Sequence, residues 1–180
     1  MFNLEEIIEG CKKNNRKAQK QLYEKYAPVL MGICIRYANS TDEAHDILQD
    51  SFIKILRQIK QFENKGSFEG WMRRIVVNTA ISNYRKNLKH YNQYNIDDVY
   101  TDSHSTSMFE ADFTHDELLK IIHTLPDGYR LVFNLYAIEG YKHKEIAEML
   151  NIDIATSKSQ YSRAKKVLRK KMEEISKIKL

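Results

Sequence analysis

Only two prolines, two cysteines, six glycines and one tryptophan occur in the 180 residues, and no apolar run approaches the ~20 residues needed to cross a bilayer. So little proline and glycine leaves few interruptions to helical segments. Cys11 and Cys34 stand far apart without Cys-x-x-Cys spacing, so neither a zinc ribbon nor a disulfide framework is indicated. The histidines never fall at metal-ligand spacing with a second ligand-type residue in a convincing context. A Gly-x-x-x-x-Gly-Lys-Ser/Thr loop and a nucleophile motif are also missing. Asp42-Glu-Ala-His45 has the letters of a helicase box, but it opens an amphipathic segment and lacks the phosphate loop that chemistry requires. No catalytic residue, metal or cofactor is expected, and the chain is not read as an enzyme. Met1-Phe-Asn-Leu-Glu-Glu6 lacks a basic start followed by an apolar stretch, so a cytoplasmic location is the expectation.

What is present is a helical pattern with unevenly placed charge. Hydrophobic residues make up 42%, enough for a core. Residues 1–88 hold fifteen basic and ten acidic side chains, 89–113 hold one and five, and 114–180 hold thirteen and nine. Two basic bodies joined by an acidic strip fit a bipartite polyanion binder. Apolar spacing predicts a short helix over Leu4–Cys11, broken at Asn14-Asn15, and a longer one from Arg16 to Ala38 with a kink or restart at Pro28. Further helices are predicted from Asp42 to Lys60 and, after a turn at 64–67, from Phe68 to Lys89. From His90 to Asp112 the period fails and polar residues dominate, which reads as a linker. Thr114 or Asp116 then caps a helix that ends before Pro126, and Pro126-Asp-Gly opens the next, with Gly140 as its stop. A final pair over 143–150 and 155–175 completes the second body. The expected fold is all-α, with two small helical domains at 1–89 and 114–180 joined by a flexible linker at 90–113.

At about 100° per residue, Ala44, Ile47, Leu48, Ser51, Phe52, Ile55 and Ile59 gather on one face of the third helix. Asp46, Gln49, Asp50 and Arg57 lie opposite, with Ile53 among them. An apolar centre inside a polar rim is the pattern of a protein docking site, although single exposed apolar residues are common. In the next helix, Phe68, Trp71, Ile75 and Thr79 form one stripe and Val77, Tyr84 and Leu88 a second. Arg74, Asn78, Ile81 and Arg85 lie between. Guanidinium and amide groups in a row can bind phosphates and base edges. Phe62, Phe68 and Trp71 flank the neighbouring turn, where they either stack unpaired bases or belong to the core.

The last helix carries seven basic residues and no acidic one between Thr156 and Lys171. Ser157, Tyr161, Ala164, Leu168 and Met172 share its inner face, while Lys158, Ser159, Ser162, Arg163, Lys166, Arg169 and Lys170 point outward. Gln160 sits on the flank. A short amphipathic helix, Lys144-Glu-Ile-Ala-Glu-Met-Leu150, precedes it, and the pair reads as a helix-turn-helix. A basic amphipathic helix taken alone could instead meet a membrane surface or a calmodulin-like partner.

In chain order these segments resemble the extracytoplasmic-function (ECF) group of the bacterial sigma-70 family. Asp42-Glu-Ala-His-Asp-Ile-Leu-Gln-Asp-Ser-Phe52 looks like that family's region 2.2, and Phe68-x-x-Trp71 with Arg74 and Asn78 looks like regions 2.3 and 2.4. Leu125-Pro-x-x-Tyr-Arg-x-Val-Phe133, Glu139-Gly-Tyr141, Lys144-Glu-Ile-Ala147 and Thr156-x-Lys-Ser159 through Leu168 look like region 4. The resemblance implies a sigma factor that binds core RNA polymerase and directs promoter-specific initiation. Asp46, Gln49, Asp50 and Ile53 would dock on polymerase, whose contacts would be the clamp of the largest subunit and the flap of the second-largest. Asn64, Lys65, Ser67, Arg74, Asn78 and Arg85 would engage the melted −10 element. Thr156, Lys158, Ser159, Gln160, Ser162, Arg163 and Lys166 would read the −35 element. Promoter DNA and an anti-sigma factor are the other implied partners. A stand-alone repressor or activator is the competing reading, and it has no need of the Asp46–Asp50 face. The chain departs from the family pattern at Ala155, Ser157 and Gln160, where glycine, valine and arginine are usual, and at His45, where an acid is common.

Overall fold

A computed structural model describes residues 3–63, 65–91 and 114–178. The expected linker, apart from its first two positions, and Asn64 lie outside the described residues. The chain divides into two compact units, Met1–Lys86 and Asn87–Leu180. All the regular elements among the described residues are helical.

In the first unit, α1 (Leu4–Lys12) begins at Asn3, whose side-chain oxygen accepts from the backbone N–H groups of Glu5 and Glu6. It stops where Asn14 turns left-handed, with φ 58°. Asn15 then caps α2 (Arg16–Tyr37), accepting from Lys17 at 2.9 Å and Ala18 at 3.2 Å. Pro28 neither ends nor restarts this helix, which runs through it. The helix forfeits one backbone hydrogen bond there, at an exposed position that water can reach. Ser40 caps α3 (Thr41–Gln58), a 3₁₀ turn follows at Ile59–Gln61, and α4 spans Phe68–Tyr91, two residues past the expected end. Leu22, Leu30, Leu48, Ile55, Ile59, Met72, Val76 and Val77 are fully enclosed between these helices. Burying a side chain of this size stabilises by roughly 1.5–3 kcal/mol relative to leaving it exposed.

In the second unit, Thr114 and Glu117 form a capping box at the start of α5 (His115–His123). The Glu117 N–H donates to the Thr114 hydroxyl, and its carboxylate accepts the Thr114 N–H at 2.9 Å. Pro126 precedes α6 (Asp127–Phe133), which widens into a π-helical turn over Asn134–Ile138 and closes at Gly140, φ 78°. A π turn was not foreseen from the sequence; such turns recur at functional sites. Then come α7 (His143–Leu150), a tight turn with Asn151 left-handed at φ 55°, and α8 (Ile154–Ile178). Ile121, Leu125, Ala164 and Leu168 form a core cluster, against which Tyr129, Phe133, Val167 and Met172 pack.

Candidate nucleic-acid and docking interfaces

The α7–turn–α8 pair has helix-turn-helix form, and periodicity foresaw which side of α8 packs inward. Ser157 and Ala164 are completely buried and Leu168 nearly so, with Tyr161 and Met172 half-buried beside them. Lys158, Ser159, Ser162, Arg163, Lys166 and Lys170 are exposed, whereas Thr156, Gln160 and Arg169 are half-buried. The exposed set offers charge for phosphates and hydrogen-bonding groups for base edges. Two members are already oriented by the protein. The Ser159 hydroxyl donates to the Thr156 carbonyl at 3.0 Å, and a guanidinium N–H of Arg163 donates to the Tyr129 hydroxyl at 3.4 Å.

Beneath the start of α8 lies a cluster that sequence reasoning did not single out. His143 Nδ1 is 3.0 Å from the Ser157 hydroxyl, and the imidazole stacks on Tyr136 with centroids 4.3 Å apart and planes at 16°. Tyr136 in turn meets Tyr161 at 4.5 Å, and Lys165 Nζ sits 5.0 Å from the Tyr161 ring centre. Burial, with a smaller contribution from Lys158, holds the His143 pKa below its ordinary value. Burial and then Tyr136 raise that of Tyr161. A signal was present in the sequence: Tyr129, Phe133 and Tyr136 recur at i, i+4 and i+7, the spacing of one helix face.

In the first unit, α3 is divided as its periodicity predicts. Ala44, Ile47, Leu48, Ser51, Phe52, Ile55 and Ile59 are all buried. Asp46, Gln49, Asp50 and Arg57 are exposed on the other side, with Ile53 among them at 48% exposure. Two hydrogen bonds fasten α3 to α4. Lys54 Nζ donates to the Thr79 hydroxyl at 3.1 Å, and the Asn83 amide donates to the Glu43 carboxylate at 2.7 Å.

The expected row along α4 has an apolar break in it. Arg74, Asn78 and Arg85 are exposed, but Ile81 is only 3% exposed, so core interrupts the strip. The aromatic group is also mostly core. Phe62 and Phe68 are buried, with Phe68 stacked on Trp71 at 5.5 Å and 24°, and only Trp71 stays half-open. The side chain of Leu88 lies outside the described residues. Lys65 and Ser67 are exposed in the preceding turn, where Gly66 takes φ 106°. Ser67 accepts the Gly70 N–H at 3.3 Å, and Lys65 pairs with Glu63 at 2.7 Å in full solvent, an attraction worth at most ~1 kcal/mol and easily exchanged for a phosphate.

Among the described residues no three His, Cys, Asp or Glu side chains converge as a metal site, and no helix is long and apolar enough to cross a membrane. Two family models match: Sigma-70 region 2 over residues 22–90, and Sigma-70, region 4 over residues 115–168. The ECF RNA polymerase sigma-E factor of Haemophilus influenzae is 28% identical, over 94% of this chain and 95% of its own. The ECF RNA polymerase sigma factor SigW of Bacillus subtilis is also 28% identical, over 93% and 96%. Among solved structures, the sigma factor RpoE from Bartonella quintana, crystallised with the anti-sigma factor NepR, shares the fold. Its TM-score is 0.53 at 23% identity, covering 86% of this chain and 96% of that one. With both family regions in order and whole-length relatives of one kind, the chain belongs to the ECF group of the sigma-70 family, the sigma factors that direct RNA polymerase to initiate transcription at promoters.

Proposed function

We propose that this sigma factor divides promoter recognition between its units, with residues 1–89 and 114–180 as the working domains and 90–113 as their connection. Asp46, Gln49, Asp50 and Ile53 dock on the clamp of polymerase's largest subunit, and the second domain meets the flap of the second-largest. Lys65, Ser67, Arg74, Asn78 and Arg85, together with Asn64, engage the melted −10 element. Thr156, Lys158, Ser159, Gln160, Ser162, Arg163 and Lys166 read the −35 element. The chain supplies binding groups only, and the polymerase, in the cytoplasm, supplies the chemistry. An anti-sigma factor, such as the one bound in the Bartonella quintana complex, is a further partner.

The observation that carries this reading is the outer face of α3. Three polar side chains surround a half-exposed isoleucine, directly opposite a fully buried stripe. An apolar centre inside a rim of exposed polar side chains supports an interface on this side of the helix. Mixing the purified chain with core RNA polymerase on genomic fragments should yield initiation at discrete sites. Asp50→Lys should weaken core binding without lowering the melting temperature. Tight operator binding by the free chain, with no polymerase-dependent transcripts, would defeat the proposal.

A further inference from the structure

The His143 cluster bears on how the reading helix is aimed. Ser157 lies in the first turns of α8, fully buried, immediately before Lys158 and two residues before Ser159. Its hydroxyl meets His143 Nδ1 from α7, and the same imidazole is stacked on Tyr136 from the π turn. Tyr136 also grips Tyr161, one turn further along α8. Three elements therefore meet at one ring, and they meet at the end of α8 that holds the proposed base-reading side chains.

We infer that His143 is a positioning residue for −35 recognition: through Ser157 and Tyr136 it sets the roll of the N-terminal turns of α8, and with it the direction of Lys158, Ser159, Ser162 and Arg163. The inference rests on the proposed −35 reading. Geometry shows why roll matters. Side-chain tips ride about 5–6 Å from a helix axis, so a roll of about 20° moves them by roughly 2 Å. A hydrogen bond of about 2.9 Å does not survive that displacement, whereas a screened phosphate attraction does. Loss of the tie therefore degrades sequence preference before it degrades general DNA affinity. Further along, Ala164 and Leu168 keep α8 docked on the core cluster, so the helix remains attached when its start is released. In its neutral form the imidazole can accept from the Ser157 hydroxyl or donate to it, depending on the tautomer.

The test uses the full chain bound to core RNA polymerase and a promoter fragment that the wild-type holoenzyme selects from genomic DNA, carrying either its own or a scrambled −35 element. The expected result is that His143→Ala lowers the ratio of binding to the two fragments by about tenfold, the loss of roughly one well-formed base contact. His143→Asn places an amide near the former Nδ1 and should recover most of the ratio. In a Ser157→Ala background, His143→Ala should cause a smaller further loss than in the wild type, because the bond between them is already gone and only the stacking on Tyr136 remains to be lost. An unchanged ratio in His143→Ala overturns the inference. Equal losses in the Ala and Asn variants, tracking equally lowered melting temperatures, also overturn it, since the role would then be packing alone. If the wild-type holoenzyme does not distinguish the two fragments, the −35 reading itself falls, and this inference with it.

Discussion

The two helices proposed to meet DNA are built in opposite ways. α4 is wrapped by its neighbours: Phe68, Met72, Ile75, Val76, Val77, Thr79, Ala80 and Ile81 are all buried, and its exposed side chains Arg74, Asn78 and Arg85 occupy an interrupted strip. α8 shows solvent most of its circumference and is held along a thin seam of Ser157, Ala164 and Leu168 with Tyr161 beside it. The first unit therefore fixes the backbone beneath its proposed binding groups on α4 by bulk packing. The second unit places them through a few directional contacts, and those contacts can be altered without dismantling the fold.

The strongest way to break this contrast is Met72→Ala. Met72 is fully buried, and its truncation should cost about 2–5 kcal/mol, read as a shifted denaturation transition of Trp71 fluorescence. Trp71 is the chain's only tryptophan and lies within the first unit, so it reports on that unit. Leu168→Ala should leave the Trp71 transition in place, and a matching shift there would mean that the units unfold together.

Next in size is Arg163→Ala, expected to cost about 1–3 kcal/mol at the −35 element if the guanidinium reads a base. Binding of holoenzyme to matched and substituted promoters checks it, and an equal loss on every sequence would demote Arg163 to a phosphate contact. Removing a single cap tests whether local devices matter in the well-packed unit. Ser40→Ala deletes the hydroxyl that accepts the Glu43 N–H at the start of α3, and should cost about 1 kcal/mol in the Trp71 transition.

The smallest effect concerns pH and belongs to the second unit. Burial and then Lys158 lower the His143 pKa below its ordinary value, and the rings of Tyr136 and Tyr161 pack against the imidazole. The unfolded chain then takes up the proton first. The stability contribution is complete above the ordinary value and is lost as pH falls through the lowered folded value. Melting followed by circular dichroism should show the wild type losing more stability than His143→Asn between neutral and mildly acidic pH. Parallel losses would mean that His143 does not carry the effect.

Much of the site was legible because it is periodic. Each side of α3 and of α8 could be assigned from spacing alone, since the azimuth of a side chain is a local property of the helix. Caps were readable for the same reason: Thr114 with Glu117 needs nothing beyond its own turn. What spacing left undecided has a common origin. Spacing places Ile81 close to Arg74 on the helix wheel, but whether it is covered depends on how far neighbouring helices wrap around α4. Phe62 and Phe68 could not be sorted from Trp71 without knowing which ring the core encloses first. Pro28 signals a missing hydrogen bond, yet the packing of Leu22, Tyr26, Leu30 and Ile33 carries α2 through it.

By itself, then, the order of residues determined that the chain forms two helical bodies, that the second ends in a helix-turn-helix, and which faces of α3 and α8 meet solvent. These follow from hydrogen bonds and side-chain directions set within a few residues. Only the tertiary structure decided which distant groups hold those faces in place: Asn83 on Glu43, forty residues away, Tyr129 against Arg163, and His143 on Ser157. Such pairings depend on how helices dock, and docking is chosen by the shape of a shared core that no local pattern contains.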